Sequence, residues 1–200
     1  DAGGALGAAL ATHYIYYNQK RNVTTGTDGM QGAYLGPAFS DAEVETQLNP
    51  FKAEYDKASS PEELFDQVAR LLNEGQVVGW FQGRMEFGPR ALGHRSILGD
   101  PRSPAMQKKL NLKIKYRESF RPFAPAVLAS ECKNYFQLDG TSPYMLLVKV
   151  IQESRKKALP EGFSNMNLRD KLETIRADIP AVTHVDYSAR IQTVDGSFNP

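Results

Sequence analysis

SPEELFDQVARLLNEGQVVGWF, residues 60–81, runs from a helix start through a helix stop into a strand, and its reading decides the fold class. Ser60 and Glu63 stand in capping-box spacing, where the serine oxygen meets the amide three residues on and the glutamate reaches back. Pro61 suits the first helical position, and Leu64, Val68, Leu71 and Leu72 form an apolar stripe at helical spacing. Gly75 supplies the stop. The run Val77-Val78-Gly79-Trp80-Phe81 that follows at once predicts a strand.

The same reading extends in both directions. Ser40-Asp41-Ala42-Glu43 is a second capping box and predicts a second helix. Strands are expected at Ile114–Tyr116, Phe123–Leu128, Met145–Ile151, His184–Asp186 and Arg190–Val194, with short helices near Ser103–Leu112 and Ser130–Phe136. The mixture predicts an α/β fold (α+β mixed). Residues 153–178 alternate charge with Gly, Asn and Ser around Pro160 and are expected as a mobile excursion between two strands. The opening Asp1-Ala2-Gly3-Gly4-Ala5-Leu6-Gly7-Ala8-Ala9-Leu10 reads as a Gly-rich turn feeding a small-residue helix. Residues 18–37 are rich in Asn, Thr, Gly and Gln and read as a connector, which places a domain boundary near Ala33.

With 200 residues and 41% hydrophobic content the chain can bury a sizeable core. Its longest apolar stretches fall well short of the roughly 20 residues a membrane span needs, so no membrane association is expected. The single cysteine, Cys132, excludes an internal disulfide framework and fits a reducing, cytoplasmic compartment. It reads as a small buried apolar residue. No signal peptide is visible, and the abrupt ends read as those of a segment of a longer protein.

Twenty-four basic residues nearly balance 23 acidic ones. That neutrality hides an asymmetry. Between Arg84 and Arg121 ten basic residues face three acidic ones, a local charge of +7, which leaves −6 for the rest of the chain. A concentration of this kind calls for an anion. On an extended Ile114–Tyr116 segment, Lys113, Lys115 and Arg117 would share one face, with Arg121 joining them ahead of Pro122. The alternative is a solvated strand edge that lysines guard against aggregation.

Gly83-Arg84-Met85-Glu86-Phe87-Gly88-Pro89-Arg90-Ala91-Leu92-Gly93-His94-Arg95-Ser96 follows the predicted strand directly, and a glycine-rich loop so placed is a common phosphate-handling device. It matches neither the Walker nor the dinucleotide spacing. Arg90 and Arg95 are the anion candidates, because a guanidinium donates two parallel hydrogen bonds to a phosphate or carboxylate. Glu86 can orient one of them, touch a ribose hydroxyl, or form a structural ion pair. His13, His94 and His184 lack metal-ligand spacing, and no nucleophile signature is present. His184-Val185-Asp186 would put His and Asp on one strand face, as a hydrogen-bonded structural feature.

The strings QGRMEFGPRALGHRSIL, KYRESFRPFAP and THVDYSARIQTV, in this order, resemble the C-terminal domain of the NodU/CmcH-type O-carbamoyltransferases. The opening DAGGALGAAL resembles the end of the same enzymes' N-terminal actin-type ATPase-like domain. The resemblance implies that residues 1–32 are that domain's tail plus linker. Residues 33–200 would then be a YrdC-like twisted sheet with flanking helices, truncated at its C-terminus. It implies that ATP and carbamoyl phosphate are joined into carbamoyl-adenylate, and that the N-terminal domain passes the carbamoyl group to the hydroxyl of a sugar or natural-product acceptor. On the matching positions Lys115, Arg121 and Arg90 look catalytic. Arg190, Arg117, Arg95, Glu86 and Ser188 look substrate-binding. Mg²⁺ is implied with ATP, and an iron-type metal in the N-terminal domain, where Asp1 matches one ligand whose partner histidines would lie upstream. A cationic pocket without a nucleophile agrees with this, since adenylyl transfer is catalysed mainly by positioning and electrostatics.

Two departures stand out. The family's S-x-N motif lies beyond this region, and Ser197-Phe198-Asn199 imitates it too soon after the QTV string. Tyr187 replaces the glycine usual before the Ser/Thr-Ala-Arg string and is expected to narrow the pocket. The rival readings are a YrdC-like RNA-binding module and a purely structural docking domain. The basic segment carries Phe87, Tyr116, Phe120 and Phe123 but no RNP-like aromatic string, which argues against nucleic acid as the partner.

Overall fold

The computed structural model describes residues 3–22 and 28–196. Asp1 and the Ser197-Phe198-Asn199 string lie outside the described residues. Helices and sheets are mixed, as the α/β reading expects: α1 (Gly4–Ala11), α2 (Asp41–Leu48), α3 (Pro61–Asn73), β1 (Val78–Phe81), β2 (Arg95–Leu98), α4 (Met106–Lys113), β3 (Ala126–Leu128), α5 (Cys132–Tyr135), β4 (Leu147–Val150), α6 (Leu168–Glu173) and β5 (Ser188–Val194). β1 pairs with β2, and β3, β5 and β4 form a separate sheet with β5 in the centre. The chain divides into two compact units, Asp1–Ala53 with Phe81–Ser96 and Glu54–Trp80 with Ile97–Pro200.

Both capped helices form where the sequence places them. At α2 the box is reciprocal, with the Ser40 hydroxyl accepting from the Glu43 amide and the Glu43 carboxylate accepting from the Ser40 amide. At α3 it is shifted. Ser60 caps the Glu63 amide, but the Glu63 carboxylate reaches one residue further back, to the Ser59 amide at 2.7 Å. Gly75 takes a left-handed φ of 78° just past the end of α3, a conformation glycine adopts without a Cβ clash. The apolar stripe of α3 is only half covered, because Val68 and Leu72 are partly buried while Leu64 and Leu71 remain exposed.

In the first unit, residues 33–37 run beside residues 85–87. The Gly36 amide donates to the Met85 carbonyl, and the Met85 amide donates to the Pro37 carbonyl. A Cβ at Gly36 would stand 2.7 Å from the Met85 Cβ, so only glycine allows this approach. Tyr34 and His94 stack with ring centroids 3.8 Å apart.

In the second unit β5 is central because its residues suit both faces. It runs parallel to β3, with Ala126 opposite Gln192, and antiparallel to β4, with Val148 opposite Arg190. Side chains alternate along a strand, so Ala189 and Ile191 enter the core while Ser188, Arg190 and Gln192 share the other face. The core gathers Cys132, Phe136, Leu138, Ile151, Ala177, Ile179 and Val182 around them. Burying side chains the size of Phe136, Ile151 and Ile191 contributes about 1.5–3 kcal/mol each. A smaller cluster of Met106, Leu110 and Ala181 adjoins through Phe123, which packs against both.

The 153–178 excursion lies between β4 and β5, as expected, and its base is tied. Lys156 bridges Ala177 in an antiparallel pair, and the Arg155 guanidinium holds the Asp178 carboxylate at 2.9 Å. Arg176 is buried and donates to the Thr174 and Lys171 carbonyls.

Cys132 is 1% exposed, and burial pushes its thiol pKa up. Because the thiolate is the reactive form, alkylation at neutral pH should run about 100-fold slower than for an exposed thiol and become fast in denaturant. Labelling followed by mass spectrometry checks this. Fast labelling without denaturant would contradict the packing of α5.

Candidate functional site

The K-Y-R-E-S-F-R string is not a strand. α4 continues through Lys113, the Leu110 carbonyl accepts both the Ile114 and the Lys115 amides, and Tyr116 turns left-handed at φ 49°. The shared strand face expected for Lys113, Lys115 and Arg117 therefore does not exist. A loop replaces it, and one side chain that the sequence reading passed over builds that loop. Asn111, on α4, is fully buried. Its amide nitrogen donates to the Ser119 carbonyl at 3.1 Å and the Arg121 carbonyl at 2.7 Å, and its amide oxygen accepts from Arg117 Nε at 2.6 Å. One turn earlier, Gln107 donates to the Phe120 carbonyl at 2.7 Å. A row of amides at positions 107 and 111 thus holds three successive carbonyls, and the loop leaves the helix in one defined shape.

That shape disposes the cations differently. Arg117 is half-buried and lies 4.9 Å above the Phe123 ring, with its Nη groups carrying no hydrogen bond among the described residues. Arg121 is exposed and pairs with Glu118 at 3.0 Å. Lys115 is exposed and has no partner among the described residues. Other basic residues of the +7 segment do structural work. Lys109 donates to the Gly75 carbonyl at the end of α3, and Arg102 is clamped by Asp100 and Asn73.

Beside this loop, in the same unit, is a hollow of about 210 Å³ lined by Pro122, Phe123, Ala124, Val148, His184 and Arg190. Phe123 forms part of its wall and carries Arg117 on its ring, while Arg190 projects from central β5 opposite Val148. The expected strand at His184–Asp186 is instead a tight turn. The Tyr187 amide donates to the His184 carbonyl, and Tyr187 sits at φ 64°. A left-handed site favours glycine, which accounts for the glycine the resemblance leads one to expect there. The Tyr187 ring packs against the core cluster and is not among the residues lining the hollow, so it does not narrow it.

The turn brings together three side chains. Ser188 Oγ donates to Asp186 Oδ1 at 2.6 Å and lies 3.1 Å from His184 Nδ1. The hydroxyl has one proton and gives it to the carboxylate, so at the second contact His184 Nδ1–H donates and Ser188 Oγ accepts. Hydrogen bonds from the Ser188 hydroxyl and amide hold the Asp186 carboxyl below the usual range. Burial pushes the His184 pKa below its ordinary value, Asp186 opposes this, and Arg190 adds to it. His184 is therefore a neutral imidazole at neutral pH.

Glu86, Arg90 and Arg95 belong to the first unit. The Glu86 carboxylate makes no ion pair with either arginine. Its Oε1 accepts the amides of Leu92, His94 and Arg95 at 2.9, 2.8 and 3.2 Å. Burial raises its pKa, but these amides outweigh it and hold the carboxyl below its ordinary value. The glycine-rich loop does cradle an anion, and the anion is the chain's own side chain. Arg95 donates to the Gln82, His94 and Gly83 carbonyls and lies 3.4 Å above the Phe81 ring. Arg90 is exposed and has no partner among the described residues.

Among the described residues no three His, Cys, Asp or Glu side chains are placed to hold a metal ion, and no helix is long and apolar enough to cross a membrane.

A hollow with Arg190 in its lining, beside a loop that carries Arg117, Lys115 and Arg121, offers positive charge to a small anion, and comparison with known proteins gives the chain a family. The chain belongs to the carbamoyltransferase C-terminal family, whose model matches residues 69–200. It is 36% identical over 204 residues to nodulation protein NolO of Bradyrhizobium diazoefficiens, covering all of this chain and 32% of the relative. To the 3'-hydroxymethylcephem-O-carbamoyltransferase of Amycolatopsis lactamdurans it is 34% identical over 200 residues, covering all of this chain and 31% of the relative. An uncharacterized protein of Synechocystis sp. is 54% identical over 202 residues, with all of this chain and 32% of the relative covered. The chain spans about a third of the length of these relatives.

Proposed function

We propose that this chain is the part of an O-carbamoyltransferase that forms carbamoyl-adenylate from ATP and carbamoyl phosphate. In this reading residues 1–32 are the tail and linker of an actin-type domain that passes the carbamoyl group to a hydroxylated sugar or natural product. Residues 33–200 are the adenylate-forming domain. The observation that carries the reading is the hollow lined by Arg190, with Arg117 on its Phe123 wall, inside the segment that the family match covers.

The chemistry needs such a place. Two polyanions must be brought together against their mutual repulsion, and formation of the adenylate consumes one water and releases pyrophosphate and phosphate. Arginine forks can hold the phosphoryl oxygens bidentately and stabilise the charge that builds on the leaving pyrophosphate. Lys115 and Arg121, on the loop beside the hollow, supply further positive charge, and exchanging Glu118 for a phosphate would release the Arg121 guanidinium. The hollow has no carboxylate lining, so its residues do not fit a protein-held Mg²⁺, which would instead arrive on the nucleotide's phosphates.

The test is carbamoyl-phosphate-dependent exchange of pyrophosphate into ATP by the whole protein. Lys115→Ala and Arg121→Ala are expected to lose about 10- to 100-fold of it, the scale of one charge-assisted contact. Exchange that ignores carbamoyl phosphate, or variants that keep full rate, would count against the assignment.

A further inference from the structure

Every cation near the hollow is a hydrogen-bond donor only, since neither guanidinium nor ammonium can accept. A carbamoyl group also donates, through its NH₂, and a site built solely of donors would leave that NH₂ without a partner. Among the six residues lining the hollow, His184 is the one whose side chain can accept a hydrogen bond. Its Nδ1 is committed to Ser188, whose own proton is committed to Asp186, so the ring is held in the Nδ1–H tautomer and the lone pair is left on Nε2. That Nε2 carries no hydrogen bond among the described residues.

Resting on the transferase reading above, we propose that His184 Nε2 accepts a hydrogen bond from the carbamoyl NH₂ and so selects carbamoyl phosphate over acyl phosphates that lack this donor. Asp186 and Ser188 are positioning residues in this scheme. They turn the imidazole and fix its tautomer without touching the ligand's carbamoyl group. The pairing is chemically selective because a methyl group has nearly the size of NH₂ and cannot donate, and an unpaired acceptor facing a methyl group costs the site its hydrogen bond.

Acetyl phosphate is therefore the informative probe. Calorimetric titration of the whole protein should show carbamoyl phosphate binding at least about tenfold more tightly than acetyl phosphate. His184→Phe should lose about tenfold for carbamoyl phosphate and less than about twofold for acetyl phosphate, which erases the preference. His184→Gln, whose amide oxygen can reach the position of Nε2, should keep most of it. A wild-type protein that binds both phosphates equally, or a His184→Phe variant that keeps the preference, overturns the role of His184 while the transferase reading stands. If neither phosphate binds, the transferase reading fails and this inference with it. Should His184→Phe not fold, the wild-type ratio and the His184→Gln variant decide the matter alone.

Discussion

Replacing Asn111 by leucine is expected to cost about 3–5 kcal/mol of stability and to abolish carbamoyl-phosphate-dependent exchange, although residue 111 touches no proposed substrate. The leucine fits a helix, so α4 itself survives. What is lost is the partner of the Ser119 carbonyl, the Arg121 carbonyl and Arg117 Nε, all of which Asn111 satisfies from a fully buried position. Without it Arg117 loses its anchor and the loop carrying Lys115 and Arg121 loses its shape. Asn111→Asp separates the two contributions, because it keeps an acceptor for Arg117 but sets a negative charge against two carbonyl oxygens. It should also destabilise, while leaving more residual ligand affinity than the leucine variant. Denaturant titration gives the stability and calorimetry the affinity. A leucine variant less than about 1 kcal/mol below wild type would show that the loop is held by other means.

Asn111 also marks where a linear reading of this chain stops. Met106 and Leu110 disclose the core-facing side of α4, but nothing in N-L-K-I-K-Y-R tells a reader that the asparagine points inward. Its partners are carbonyls eight and ten residues on, which no local pattern displays. The alternation K-I-K-Y-R resembles a strand just as closely, and tertiary contacts overrode it. β5 was legible in part: the expected strand Arg190–Val194 forms, and it starts two residues earlier, at Ser188. Ala189 and Ile191 enter the core, and on the other face Ser188 and Gln192 are buried as well. β2 has no counterpart among the expected strands, since its first two residues, Arg95 and Ser96, read as the end of the glycine-rich loop.

The site divides along the same line. The concentration of positive charge was visible in the sequence, yet which cations remain available was not, since that depends on carbonyls and carboxylates distant in sequence. Arg95 looked like an anion binder and is tied to three backbone carbonyls. His184 and Asp186 read as a hydrogen-bonded structural feature, and they are hydrogen-bonded through Ser188, but on a turn and not on one strand face. That turn, with its left-handed backbone at residue 187, also puts His184 in the lining of the hollow. The glycine expected there by resemblance was the available signal.

Glu86→Ala is expected to destabilise the loop between β1 and β2 by about 2–4 kcal/mol, because three amides lose a charged acceptor at once. Two of them belong to Leu92 and His94, both buried, so water replaces the carboxylate poorly. Glu86→Gln keeps an oxygen in place without the charge and should lose about half as much. The two variants differ from wild type in a pH-dependent way whose direction follows from the lowered carboxyl pKa. The unfolded carboxyl titrates near its ordinary value of 4.5, and the folded one titrates lower. Glu86 therefore contributes its full stabilisation above pH 4.5 and loses it as the pH falls through the folded value. The gap between wild type and Glu86→Gln should stay constant from neutral pH down to about 5.5 and close below 4.5. Hydrogen exchange at the Leu92, His94 and Arg95 amides reads this loop directly, without relying on unfolding of the rest of the chain. Protection of those amides that is equal in wild type and both variants at neutral pH would mean that the carboxylate merely occupies the cradle and does not hold it together.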